Sequence, residues 1–259
     1  MKKKSIFIVL LIAVLSVAML SACSSSSDEP SYSDKAFISS LAKGLEARWA
    51  IIDKNGEDHE DTVQDYKDFI QAELDQVEKY QSAAFEDTTL QEKAPAYINV
   101  LKESMENVDY AVSDTDYDKW SEVYDKRTIM IKDFVDNYGL TVSSKYQDEL
   151  DGLVANGKTA GVQSDQKAAL ESLVAGLQFE LVENDSGWKT YEAVLENTTD
   201  YDITSMSIDV GLLDKDGVIL ETQYTSVDNV AKGQKAKLEF STDQDFDRYE
   251  LVLDYFEAK

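Results

Sequence analysis

The chain has 259 residues, 43% of them hydrophobic, with 51 acidic and 25 basic side chains and a formal net charge of -26. That length and apolar content fit one or two folded domains and exclude disorder throughout. So acidic a chain repels nucleic acid and anionic headgroups, which excludes binding by phosphate neutralisation and leaves dispersal in water, cationic partners or loosely held divalent metal as uses for the charge.

Residues 1–4 are basic and residues 6–20 are apolar, the order of parts in a secretory signal. The apolar run is shorter than the about 20 residues that a spanning helix needs. It closes on Leu20-Ser21-Ala22-Cys23, where small residues precede the only cysteine. One cysteine forms no internal disulfide, and its place explains it better than redox chemistry does.

This box resembles the processing site of bacterial lipoproteins. The resemblance implies that residues 1–22 are a lipoprotein signal peptide cut after Ala22. It also implies that Cys23 becomes the first residue and takes a diacylglyceryl group. Loss of three lysines with the leader leaves -29 on the mature chain. Acyl chains are stabilised by roughly 0.8 kcal/mol per buried CH₂, so two hold far better than one. The bland alternative is a secreted protein with a chance cysteine. Residues 23–32, with Ser24 to Ser27, Asp28, Glu29 and Pro30, read as a polar tether reaching roughly 18 Å. The expected location is the outer face of the cytoplasmic membrane of a Gram-positive bacterium, on the extracellular side.

From residue 33 the period is helical. Phe37, Leu41, Leu45 and Trp49 form one stripe over residues 33–52. Over 61–83, Val63, Tyr66, Ile70, Leu74, Val77 and Tyr80 form a second, with Asp65, Asp68 and Glu73 assigned to the polar side. Thr89-Leu90-Gln91-Glu92 has the form of a capping box, ahead of Tyr97, Leu101, Met105 and Val108. Pro95 predicts a kink or a late start there. A fourth helix over 116–138 carries Tyr117, Trp120, Tyr124, Ile131, Phe134 and Tyr138 and ends at Gly139. A shorter fifth covers 144–154. Long helices with short loops predict a bundle over 33–155.

Residues 156–161, with Gly157 and Gly161, read as a link, and 164–175 as one more helix, so 156–176 is assigned as linker and helix. After that the period falls to two: Leu177, Phe179 and Leu181; Tyr191, Ala193 and Leu195; Met206, Ile208, Val210 and Leu212; Ala236, Leu238 and Phe240; Tyr249, Leu251, Leu253 and Tyr255. Turn chemistry lies between them at Asn197-Thr198-Thr199-Asp200, Asp214-Lys215-Asp216-Gly217 and Ala231-Lys232-Gly233-Gln234. The expectation is α+β in two domains, the helical bundle followed over 177–259 by a small antiparallel β-sandwich of immunoglobulin-like topology.

The segment Val210-Gly211-Leu212-Leu213-Asp214, with Glu196-Asn197-Thr198-Thr199 before it and Lys232-Gly233 after it, resembles the FxLYD domain of Gram-positive envelope lipoproteins. Leu212 and Asp214 match the signature, while Val210 stands for its Phe and Leu213 for its Tyr. Lys43-Gly44-Leu45-Glu46-Ala47-Arg48-Trp49 is similar to the N-terminal part of such lipoproteins. The resemblance implies location and fold, and no particular reaction.

Chemistry is sparse. His59 is the only histidine, set among acids, with neither a nucleophile for a triad nor the N and S ligands of a zinc site. Asp114-Thr115-Asp116-Tyr117-Asp118 and Asp243-Gln244-Asp245-Phe246-Asp247 begin like calcium loops. The sixth and twelfth places hold Lys119 and Asp125, or Arg248 and Asp254, instead of the Gly and Glu that an EF-hand requires. Asp116 reads instead as a helix cap. No cofactor motif occurs. Stripe aromatics read as core, whereas Trp188 has the parity of the outer sheet face.

The sequence therefore predicts a membrane-anchored surface lipoprotein acting as a non-enzymatic binding or assembly module at the envelope. Its partners would be the membrane, through Cys23, and an envelope protein or the cell wall. The alternative is an envelope-polymer hydrolase or transferase using an Asp/Glu pair, which predicts a cleft holding a buried, perturbed acid.

Overall fold

A computed structural model describes residues 32–56, 58–113 and 116–259. Five helices come first: α1 (Asp34–Asn55), α2 (Val63–Val77), α3 (Thr88–Glu106), α4 (Tyr117–Tyr138) and α5 (Gln147–Ala175). Six antiparallel strands follow: β1 (Glu180–Asp185), β2 (Trp188–Glu196), β3 (Ile203–Leu213), β4 (Ile219–Val230), β5 (Lys235–Thr242) and β6 (Arg248–Ala258). They form two three-stranded sheets, ordered β1-β2-β5 and β4-β3-β6.

The helical stripes are buried where their period places them. Phe37, Leu41 and Leu45 on α1 meet Tyr97, Leu101, Ile131 and Phe134 in one cluster. Phe37 meets Tyr80, Phe85 and Phe134 edge-on at centroid distances of 5.6 to 5.8 Å, a favoured aromatic geometry. Gly139, in the left-handed conformation at φ 70°, ends α4 as expected. Tyr117 departs from its assigned stripe and is exposed.

Three local expectations change. The start of α3 is set by Asp87, whose side chain accepts from the N–H groups of Thr89 (2.8 Å) and Leu90 (2.9 Å). Gln91 instead reaches back to Phe85 N (2.9 Å) and Ala83 O (3.0 Å), so the capping box expected at residues 89–92 is not what caps this helix. Pro95 lies inside α3 rather than at its start. Residues 156–161, expected as a link, belong to α5, a single helix of 29 residues. The reason is close packing. A Cβ on Gly157 would sit 2.2 Å from the carbonyl oxygen of Thr128, so glycine here lets α5 touch the backbone of α4 and does not break the helix.

Because α5 is continuous, it serves two cores. Leu150 belongs to the helical cluster, whereas Leu170 and Val174 join Leu195, Met206, Ile208, Val210, Leu238 and Phe240 between the sheets. On β3 the alternation holds from Met206 to Leu212, with Met206, Ile208, Val210 and Leu212 inward, and slips at the two ends, where Ile203 and Leu213 are buried as well. On β6 it breaks once. Ser207 pairs with Tyr255 and Ile208 with Leu253, so Asp254 is an extra residue. Such a bulge flips the parity beyond it; Phe256, not Tyr255, packs against the core. Ser186 (φ 55°) and Gly187 (φ 98°) turn β1 into β2, the positive-φ pair of a tight hairpin.

Candidate functional site

Ala22, Cys23 and the tether up to residue 31 lie outside the described residues. The other residues singled out by sequence are placed by local hydrogen bonding. Thr62 and Asp65 form the capping box of α2. One oxygen of Asp65 accepts from Thr62 N (2.8 Å), Thr62 Oγ1 (2.6 Å) and the Nε2 of exposed His59 (3.0 Å). Thr62, above all, and His59 hold the Asp65 carboxyl well below the usual carboxylate range. Among the described residues, His59, Asp61 and Asp65 alone bring three possible metal-ligand atoms within 4.8 Å of one another, and the capping network accounts for that grouping.

Asp114 lies outside the described residues, and Asp116, at the start of α4, lies 3.3 Å from Lys119. Asp245 pairs with Lys189, while Asp247 N donates to Leu213 O at 2.8 Å. Asp214 holds its own turn, accepting from Asp216 N and Val218 N at 2.9 Å each, with Gly217 at φ 83°. Trp49, Trp120, Tyr80 and Tyr97 are core, and Trp188 is exposed.

Asn197 is fully buried. Its amide donates to Tyr201 O and Val230 O at 2.8 Å each, and its oxygen accepts from Thr199 N (3.1 Å) and Thr199 Oγ1 (2.7 Å). Every polar atom of that side chain is engaged in tying the β2–β3 connection to the end of β4.

The most concentrated electrostatics lie where the sequence reading expected a polar face. Glu73, on α2, is 0% exposed. Its Oε1 accepts from Tyr97 Oη and from Arg127 Nε at 3.2 Å, and its Oε2 from Arg127 Nη2 at 2.7 Å and Arg48 Nη1 at 3.5 Å. One residue comes from each of α1, α2, α3 and α4. Gly44 lets α1 approach, since a Cβ there would lie 3.2 Å from Glu73 Cγ. Burial alone would raise the Glu73 carboxyl, but Arg127 and Arg48 outweigh it and hold it below its ordinary value. Arg48 is pushed down to about 10 by burial and by repulsion from Arg127, against the attraction of Glu73. Burial also opposes charge on Arg127, yet Glu73 more than offsets it and that pKa rises. Tyr97 is raised well above its usual value by burial and by Glu73. The group is a locked anion between two cations.

A finer use of period would have found it. Glu73 is three residues after Ile70 and four before Val77, Arg48 is three after Leu45, and Arg127 is four before Ile131, so all three occupy apolar-stripe positions. A groove of about 910 Å³ lies between α4, α5 and the end of β6, edged by Asp125, Lys126, Lys167, Phe256 and Lys259. Burial raises the Asp125 carboxyl there. The groove mixes both signs of charge. No helix among the described residues is long and apolar enough to cross a membrane. Compared with family models, curated proteins and solved structures, the chain matches none.

Proposed function

We propose that this protein is a membrane-anchored surface lipoprotein whose folded part is a non-enzymatic binding or assembly module at the cell envelope. The observation that carries the reading is the order of parts at the start of the sequence. A basic segment, an apolar run and Leu20-Ser21-Ala22-Cys23 adjoin a serine-rich stretch and then the first folded helix. In this reading Ala22 is the cleavage position, Cys23 the lipidated residue, and the membrane the first partner. An envelope protein or the wall is the second.

The finer reading of the fold belongs here too: a helical domain followed by an immunoglobulin-like domain of FxLYD type. Two facing three-stranded sheets ordered β1-β2-β5 and β4-β3-β6 support it, as does the position of Val210 to Asp214 at the end of a core strand and the start of a turn. The non-enzymatic reading draws support from Glu73, whereas Asp125, raised by burial on the groove between α4, α5 and β6, is the acid that the hydrolase or transferase alternative would use. A general acid needs a raised pKa and access to substrate, and the buried Glu73 carboxylate has a lowered one and is enclosed by arginines and a tyrosine.

The test is to replace Cys23→Ala in the full chain and fractionate the cells. The expected result is loss of the mature-length form from the membrane fraction, replaced by released protein or by a longer precursor that keeps residues 1–22. A mature-length form retained in the membrane at the wild-type level would overturn the anchoring.

A further inference from the structure

The two sheets present very different outer faces. On β2 and β5, the outward acids are matched by lysines: Lys237 lies 2.7 Å from Glu192 and 3.4 Å from Glu239, and Lys235 lies 2.9 Å from Glu196. Those pairs neutralise the β2–β5 part of that face, while Glu180, Glu183 and Asp185 on β1 have no basic partner within 4.0 Å among the described residues. The outer face of β4-β3-β6 has no lysine on its strands at all. Along its middle strand run Ser205, Ser207, Asp209 and Gly211, all short. Tyr224 on β4 and Val252 on β6 both stand in register with Asp209, and Tyr255 with Ser207. These three are 73%, 60% and 48% exposed.

The result is a shallow lane floored by small side chains. Its walls belong to strands two spacings apart, about 10 Å, and four alternate floor residues span roughly 20 Å. Asp209 stands on the floor, and Asp228, Asp254 and Glu257 edge the lane. Asp228 accepts from the hydroxyl of Ser205 (2.7 Å), Asp254 from that of Ser207 (2.9 Å) and Glu257 from that of Tyr255 (2.5 Å). No basic group lies within 4.0 Å of these four among the described residues; Arg248 reaches Glu250 at 3.6 Å, at one end.

We infer that the outer face of the β4-β3-β6 sheet is a docking surface for an extended, positively charged polypeptide segment of a partner protein. Width and floor suit one extended chain. Unmatched carboxylates supply the attraction, and tyrosine faces supply stacking for guanidinium or ammonium groups. A second copy of this chain is disfavoured by like charge. The inference rests on the binding reading above and gives that reading a face.

The probe is a ten-residue peptide of alternating lysine and serine, titrated into the isotope-labelled full chain and followed by amide chemical shifts, with an alternating glutamate and serine peptide as control. Shifts confined to β3 and its neighbours on β4 and β6 are expected. Tyr224→Ala combined with Asp209→Asn should weaken binding at least tenfold, while Glu192→Gln on the other sheet leaves it within twofold. Shifts spread over all acidic surfaces, equal weakening by Glu192→Gln, equal binding of the acidic peptide, or no binding would each overturn it. Cell fractionation of Cys23→Ala is independent of this titration, so the anchor and the face fail separately.

Discussion

The helical and the sheet parts of this chain solve the same problem with opposite distributions of charge. The helical core encloses a carboxylate and two guanidinium groups, whereas the fully buried polar side chains described in the sheet part are neutral, Asn197 and Thr242 among them. Helices facing one another through alternating apolar stripes slide and rotate at low cost, because one Leu replaces another. A single buried anion that must meet groups from three other helices removes that freedom, and such a group is a register device more than a source of stability. Sheets have no such need. Their backbone ladder fixes register, and a one-residue slip would turn every inward side chain outward.

The largest expected effect attacks the helical side of this contrast. Glu73→Ala leaves two buried arginines without their anion, and the loss should be about 3–5 kcal/mol in denaturant unfolding, followed by the fluorescence of Trp49 and Trp120. Replacing Arg48→Met, Glu73→Leu and Arg127→Met together should restore most of the stability while loosening the bundle, seen as broadened amide resonances. A triple variant as unstable as Glu73→Ala would show that the cluster acts through energy and not register.

Next in size is the close approach of α4 and α5. Gly157→Ala forces a methyl against the Thr128 carbonyl, and about 3 kcal/mol should be lost. A smaller effect, about 2 kcal/mol, is expected for Asn197→Ala, which strips donors from the carbonyls of Tyr201 and Val230. Trp188 fluorescence would locate that loss in the sheets. Removing the α3 cap with Asp87→Ala should cost about 1 kcal/mol.

Acid sharpens the same comparison. The Glu73 carboxyl is lower in the folded state than its ordinary 4.5. Its contribution is therefore complete above about pH 4.5 and is lost as the pH falls through the folded value. The stability of the helical part should fall more steeply on acidification in the wild type than in the triple apolar variant.

Much of this architecture could be read from periodicity. The stripe from Phe37 to Trp49 and the alternation from Met206 to Leu212 bury as their spacing requires. What escaped did so because residue type was given more weight than position. Glu73 is charged and its type points to solvent, and the stripes are built from apolar and aromatic residues alone, although Glu73, Arg48 and Arg127 each stand at a stripe position. Gly157 is a helix breaker by propensity, yet α4 comes too close for any larger residue. The bulge at Asp254 follows from pairing with β3 and has no local signal. For the site the balance is different: the proposed anchor falls outside the described residues and rests on sequence alone, whereas the cluster's stripe positions are in the sequence and only the coordinates join them into one group.

Both halves of the comparison hang, in the proposed account, from one modified cysteine. The direct measurement is mass spectrometry of the amino-terminal peptide of the protein recovered from native membranes. The account predicts a chain beginning at Cys23 with the mass of a diacylglyceryl adduct on its sulfur. An amino-terminal peptide that retains residues 1–22, or one that carries Cys23 as an unmodified thiol, would contradict it.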